Sequence, residues 1–196
     1  MAKLYFHYSS MNAGKSTALL QANHNYLERG MKTMLFTAKL DNREGGGVIS
    51  SRIGIQKEAL SFANEDNLFD MVREADSDSK LNCILVDEAQ FLSKEQVRQL
   101  IRLVDEEGIP VLTYGIRSDF KGEVFEGSKF LLAWSDEMKE IKTICHCGKK
   151  ATMNARVSTE GDMETAGAQI EIGGNERYIS LCRGCFNRGE MGSFSP

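Results

Sequence analysis

Nine consecutive residues, Ser9-Ser10-Met11-Asn12-Ala13-Gly14-Lys15-Ser16-Thr17, have the types and spacing that hold a phosphate. They follow an apolar run, Leu4-Tyr5-Phe6-His7-Tyr8, that reads as a buried strand. They precede a helical pattern starting near Lys15, with Leu19, Ala22 and Tyr26 on one side and Gly30 as its stop. In that context backbone N–H groups and the helix dipole face an anion, Lys15 reaches the β/γ oxygens of a nucleotide, and Ser16 offers its hydroxyl to Mg²⁺. The pattern G-x-x-x-x-G-K-[ST] is met except at its first position, where Ser9 stands for glycine. A second chemical segment, Ile84-Leu85-Val86-Asp87-Glu88, is an apolar strand ending in two acids. A parallel sheet delivers such acids to the carboxyl edge that also carries the phosphate loop. Asp87 then completes the Mg²⁺ shell with Ser16, and Glu88 faces the nucleophile as general base.

Four cysteines form a third group. Cys145-His146-Cys147 and Cys182-Arg183-Gly184-Cys185 can surround Zn²⁺ tetrahedrally, and a closed four-thiolate shell is structural. His146 is expected to point outward, since the thiolates already complete the shell. Free thiols or a redox C-x-x-C are the alternatives. Cys83, inside an apolar strand, reads as a small core residue.

The elements that must position these groups alternate. Strands are predicted at Thr33 to Ala38, Cys83 to Val86 and Val111 to Tyr114, with a weaker one over Glu140 to Ile144. A short helix is expected over Leu68 to Ala75, and a longer one begins at Ser93, whose capping box is completed by Gln96. Its face is Val97, Leu100, Ile101 and Val104, and Gly108 and Pro110 close it. Asp41 to Ser51, with Gly45-Gly46-Gly47, reads as a long flexible loop. Alternating strands and helices imply an α/β fold, a P-loop NTPase-type parallel sheet flanked by helices. From Cys145 on, glycines, charges and short β-like runs (Gln169 to Ile172, Tyr178 to Leu181) replace helical periodicity. The expected division is a P-loop α/β body over 1–144 and a small zinc-binding lobe over 145–196.

Composition narrows the function classes. The chain has 196 residues, a hydrophobic fraction of 41% and a formal net charge of −4. Those values suit a soluble protein with no global basic footprint for nucleic acid. No apolar run approaches the ~20 residues of a membrane span, and no signal-peptide pattern opens the sequence, so cytoplasmic residence is the expectation. From Cys145 onward six basic residues balance six acidic ones, which disfavours a nucleic-acid grip. Ala38-Lys39-Leu40-Asp41 only partly matches a guanine box and follows the wrong strand.

The combination of phosphate loop, Asp87-Glu88 and a four-cysteine lobe containing Gly-Gly-Asn-Glu-Arg-Tyr resembles the type II thymidine kinases over essentially the whole chain. The resemblance implies transfer of the γ-phosphoryl of ATP to the 5′-hydroxyl of thymidine or deoxyuridine, with Mg²⁺ at the reaction and structural Zn²⁺. It also implies a homotetramer and feedback inhibition by dTTP, while charge and hydropathy lead us to expect no nucleic-acid or membrane partner. By position, Ser9, Ser10, Met11, Asn12, Ala13, Gly14, Lys15 and Ser16 match the family's ATP-phosphate loop. Asp87, Glu88, Ala89 and Gln90 match its second nucleotide motif. Glu88 matches the catalytic base, and Lys15 and Arg43 join it in catalysis. Asp41 and Arg43 match an Asp-x-Arg near the phosphates. Met11, Phe91, Phe120 and Phe125 resemble the apolar wall around the base, and Tyr178 the residue covering the nucleoside. Cys145, Cys147, Cys182 and Cys185 match the zinc ligands. The long loop from Gly161 to Tyr178, anchored by the zinc knuckles, suits a cover that excludes water. Two other classes compete: a P-loop ATPase acting on nucleic acid through a zinc module, and a non-catalytic zinc interaction module that leaves Lys15, Ser16 and Glu88 unexplained.

Overall fold

Runs of apolar and β-branched residues too short for helices build the centre of the molecule. The structure, a computed structural model, describes residues 1–40, 47–76, 81–170 and 177–192. In chain order the body comprises β1 (Leu4–Ser9), α1 (Lys15–Leu27), β2 (Thr33–Ala38), β3 (Val48–Ser50), β4 (Gln56–Glu58), β5 (Leu60–Phe62), α2 (Leu68–Ala75), β6 (Cys83–Val86), α3 (Lys94–Asp105), β7 (Val111–Ile116), α4 (Glu126–Trp134) and β8 (Glu137–Glu140). Six strands pair in the order β5-β2-β6-β7-β1-β8, and every pairing is parallel. A parallel sheet is stable only when both faces are covered. Here α1 packs Leu19 and Leu20 with Leu35, Cys83, Leu85 and Tyr114 on one face. On the other, α2, α3 and α4 bury Leu68, Val72, Leu100, Leu103 and Leu131 against Phe6, Phe36, Ile84 and Val86.

Local chemistry explains where the helices begin. Ser93 accepts from Gln96 N while Gln96 accepts from Ser93 N, the expected capping box of α3. Asn67 caps α2 by accepting from Phe69 N and Asp70 N. Between β6 and α3 a 3₁₀ turn, Ala89–Phe91, redirects the chain. It fits only because α4 carries glycine at 127: a Cβ there would stand 2.4 Å from the Ala89 carbonyl oxygen.

The remaining elements are β9 (Thr143–Ile144), β10 (Lys150–Ala151), β11 (Met153–Arg156), β12 (Tyr178–Leu181) and α5 (Arg183–Arg188). β9 and β10 pair antiparallel, as do β11 and β12.

The sequence reading differs from the structure in several places, and β4, β5 and α5 have no counterpart in it. The loop expected over Asp41 to Ser51 contains strand β3, which with β4 forms an antiparallel hairpin; residues 41–46 lie outside the described residues. The weak strand over Glu140 to Ile144 is two strands, β8 and β9, interrupted by Ile141 and Lys142. Gln169 and Ile170 are not in a strand, and the other half of that run is outside the described residues. Helix α4 was not anticipated: its first turn holds Gly127 and Ser128, so its apolar stripe starts only at Phe130 and Leu131.

Candidate active site

The β1–α1 loop leaves the first N–H groups of α1 free of any side-chain cap; Gly14 at the N-cap is left-handed at φ 82°. Asn12, at φ 60°, is one of two non-glycine residues with positive φ among the described residues. Uncapped N–H groups at a helix start are what an anion replaces. Serine at the first position of the motif disturbs nothing, because no positive φ is required there. Ser9 Oγ donates to Ser10 O and accepts from Lys15 Nζ at 3.2 Å, and Lys15 also reaches Ser10 O at 3.3 Å. Lys15 is thus buried and aimed along the loop.

The second non-glycine residue at positive φ is Glu88, at φ 50° and ψ 38°. Such backbone strain is characteristic of functional sites. The kink follows directly from the end of β6, turning Glu88 out of the sheet while Asp87 stays buried. Ser16 Oγ donates to Asp87 Oδ2 at 2.8 Å, joining the two motifs. Burial, and next the neighbouring Glu88 charge, push the Asp87 carboxyl up to about 7, against the pull of Ser16 and Lys15. A buried carboxylate beside a hydroxyl, with too little positive charge around it, is an oxygen donor set that fits Mg²⁺. Gln90 donates through Nε2 to Glu88 Oε2 and accepts from Ile116 N at 3.2 Å, so β7 fixes the Glu88 carboxylate through an amide.

These groups open on one cleft of about 430 Å³. Met11 through Thr17 line it together with Glu88, Gln90, Phe91, Phe120, Phe125 and Tyr178. Phe91 and Phe125 meet edge to face at 5.9 Å. Polar groups sit opposite: Asp119 accepts from the N–H groups of Lys121 and Glu123, and from Gln169 Nε2 at 3.0 Å. Of the residues singled out from the sequence, Ser9, Ser10 and Asp87 lie just beneath the lining, and Ala89 is fully buried behind it against α4. Asp41 and Arg43 lie outside the described residues. No sequence signal marks Asp119, Asn154 or Gln169 as site residues. Asn154, in β11, accepts from Met11 N at 2.7 Å and donates to Ser118 O at 2.7 Å, pinning the phosphate loop to the lobe. No motif announces it; only the buried amide and its two distant partners do.

The four cysteines converge. The Sγ atoms of Cys145, Cys147, Cys182 and Cys185 all lie within 4.8 Å of one another, and none is in a disulfide. The Cys147–Cys182 separation is 3.7 Å, close to the edge of about 3.8 Å of a tetrahedron with Zn–S bonds near 2.3 Å. Four soft thiolates in that arrangement fit Zn²⁺ with no open position. His146 stays outside the cluster, its Nε2 3.0 Å from the Glu190 carbonyl oxygen. Cys83 is a core residue, its thiol pushed up to about 12 by burial.

Comparison with known proteins agrees with this geometry. A family model described as thymidine kinase matches residues 2–186. A thymidine kinase of Legionella pneumophila (strain Lens) is 55% identical over 197 residues, covering 100% of this chain and 94% of that protein. One from Shewanella oneidensis is 57% identical, covering 93% of this chain and 95% of its own. One from Xanthomonas axonopodis pv. citri is 58% identical, covering 96% and 90%.

Proposed function

The chain belongs to the thymidine kinase family, and on that premise we propose that it transfers the γ-phosphoryl of ATP to the 5′-hydroxyl of thymidine, and of deoxyuridine, for nucleotide salvage. The observation that carries this reading is a single cleft in which a phosphate loop, a strained carboxylate and an aromatic wall face one another. In the proposed reaction the N–H groups from Asn12 to Ser16 bind the ATP phosphates, and Lys15 follows the charge of the transferring group. Ser16 and Asp87 would hold Mg²⁺, which would supply neutralisation of phosphate charge. Glu88, oriented by Gln90, accepts the proton of the 5′-hydroxyl as oxygen attacks phosphorus, and ADP leaves. Phe91, Phe120, Phe125, Met11 and Tyr178 stack around the base, and Asp119 and Gln169 lend polar edges. Asp41 and Arg43 are assigned to the phosphates by family resemblance alone.

The lobe over 145–196 is read as a second domain, supported by its own small core of Cys145, Ala151, Ala155, Leu181, Cys182 and Cys185. Zn²⁺ on the four thiolates is structural in this reading. A homotetramer, inhibition by dTTP and a cytoplasmic location complete the reading from the family; among the described residues no helix is long and apolar enough to cross a membrane. The test is formation of dTMP from thymidine and γ-labelled ATP by the purified protein, beside ATP hydrolysis with and without DNA. Label in dTMP, with no stimulation by DNA, is the expected result. DNA-stimulated hydrolysis without dTMP would overturn it.

A further inference from the structure

Behind the aromatic wall lies a buried cation that the proposed chemistry does not use. Arg156 ends β11 directly opposite Tyr178 of β12, and its side chain is only 5% exposed. Removing a guanidinium from water is costly unless several partners satisfy its fork of donors. Two of its neighbours, Phe120 and Tyr178, line the cleft, and the others lie in the segment just before Gln169 and Ile170, which line it too. The guanidinium carbon lies 3.7 Å from the centroid of the Phe120 ring, a cation–π contact. It hydrogen-bonds the Tyr178 side chain, donates through Nε to Glu164, through Nη1 to Ala168 O at 3.0 Å, and reaches Ala166 O at 3.5 Å. Burial works against its charge, but the bonds to Tyr178 and Glu164 outweigh that and hold its pKa above the ordinary arginine value.

From Ala166 to Gln169 the segment is fastened at each residue. Lys121 Nζ donates to Gly167 O at 3.3 Å, and Gln169 bonds Asp119. Residue 167 must be glycine for this contact: it sits at φ 133°, and a Cβ there would stand 2.4 Å from Arg156 Nη2. Arg177 clamps the other oxygen of Glu164 and donates to Val157 O at 2.8 Å, which closes the network onto β12.

We infer that Arg156 is a positioning residue for the nucleoside, the hub that holds Phe120, Tyr178 and the 166–168 backbone in one arrangement and so sets thymidine affinity without touching the phosphates. The inference rests on the proposed thymidine kinase activity. A mere staple of the lobe would lower stability and damage both substrates' kinetics alike. A hub on one wall acts on one substrate.

The test is steady-state kinetics on Arg156→Met and Arg156→Lys, with melting temperature and zinc content measured alongside. For Arg156→Met the thymidine KM should rise about tenfold or more, with kcat within about threefold and the ATP KM within about twofold. Arg156→Lys keeps the charge but not the fork, so it should recover part of that loss. Phe120→Leu combined with Arg156→Met should raise the thymidine KM by less than the product of the single effects, because the two side chains are in contact. A thymidine KM within about twofold of the parent, a parallel rise in both KM values, or full additivity would overturn the inference. If Arg156→Met does not fold, the Lys variant decides by the same criteria. A parent protein inactive on thymidine refutes the proposed function, and this inference with it, before any variant is made.

Discussion

The body and the lobe hold their site residues by different physics. In the body, Lys15, Asp87 and Glu88 hang from strands whose backing is hydrocarbon: Phe6, Phe36, Ile84, Val86 and Leu100 are entirely buried in one continuous cluster. The ion pairs of its helices, such as Arg102–Glu106, lie at the surface and contribute little. In the lobe, half of the six core residues are cysteines, and the sheets are two-stranded ladders that are marginal alone. The thiol cluster gathers its two ends, and the buried Arg156–Glu164–Arg177 network fixes the segment beside the cleft. Where too little apolar surface is available to offset chain entropy, coordination and charge take over. The phosphate loop thus rests on a rigid sheet, whereas Tyr178 over the cleft rests on a small segment held by thiols and ion pairs.

Metal removal is the sharpest way to break this comparison. Structural zinc contributes on the order of 10 kcal/mol to small metal-folded units. Chelation, or Cys185→Ser, should therefore unfold the lobe and abolish thymidine phosphorylation, while far-UV circular dichroism still shows a cooperative melt of the body. A metal-free protein with full activity would mean that the lobe stands without coordination.

The complementary change is Leu100→Ala in α3. A fully buried leucine truncated to alanine costs about 2–5 kcal/mol, and Leu100 is 0% exposed. Denaturant melts should show the body weakened by that amount with zinc still bound at one per chain; zinc loss in step with the body would show that the two regions fold as one unit.

Glu88→Gln tests function within the body. General bases contribute on the order of 10²–10⁴-fold, and a loose transition state favours the low end. A fall in kcat of roughly 10²-fold is expected, about 2.7 kcal/mol in barrier. The thymidine KM should stay close to that of the parent, in contrast to the Arg156 variants. A kcat within about threefold would assign the proton to another acceptor.

The smallest effect concerns pH. His7 lies in β1, stacked on Tyr114 at 4.5 Å, with Nδ1 buried and unbonded among the described residues. Burial, then the charge of Lys139, lower its pKa below 6.5. The folded state therefore binds fewer protons than the unfolded one: this contribution is fully present above 6.5 and is lost as pH falls toward the depressed folded value, at no more than about 1.4 kcal/mol per unit. His7→Phe should flatten the body's melt between pH 7.5 and 5.5 while leaving acid release of zinc in place. An unchanged pH slope would remove His7 from the account.

Much of this was legible along the chain because it is local. The capping box of α3 needs only Ser93 and Gln96, and the strand Cys83–Val86 needs only its four apolar residues. Helix α4 and the β3–β4 hairpin were hidden for the opposite reason. Gly127 and Ser128 weaken helical periodicity so that α4 can cross the Ala89–Phe91 turn closely, and Ser50 and Ser51 carry a polarity that reads as loop.

The same distinction divides the site. Sequence alone determined the phosphate loop, the two acids after β6 and the paired cysteines, since each consists of a few adjacent residues whose backbone or ligand geometry follows from their spacing. Only the tertiary structure decided that Asn154 ties Met11 to Ser118, that Gln90, anchored on Ile116 of β7, orients Glu88, and that Arg156 joins Phe120 to Tyr178. Except for Gln90's bond to Glu88, those partners stand more than twenty residues apart, and an amide or guanidinium in a sequence carries no mark of which groups it will meet. The choice is made by burial, because a polar group enclosed far from water must find partners among whatever the packing of β7, β11 and β12 brings within reach.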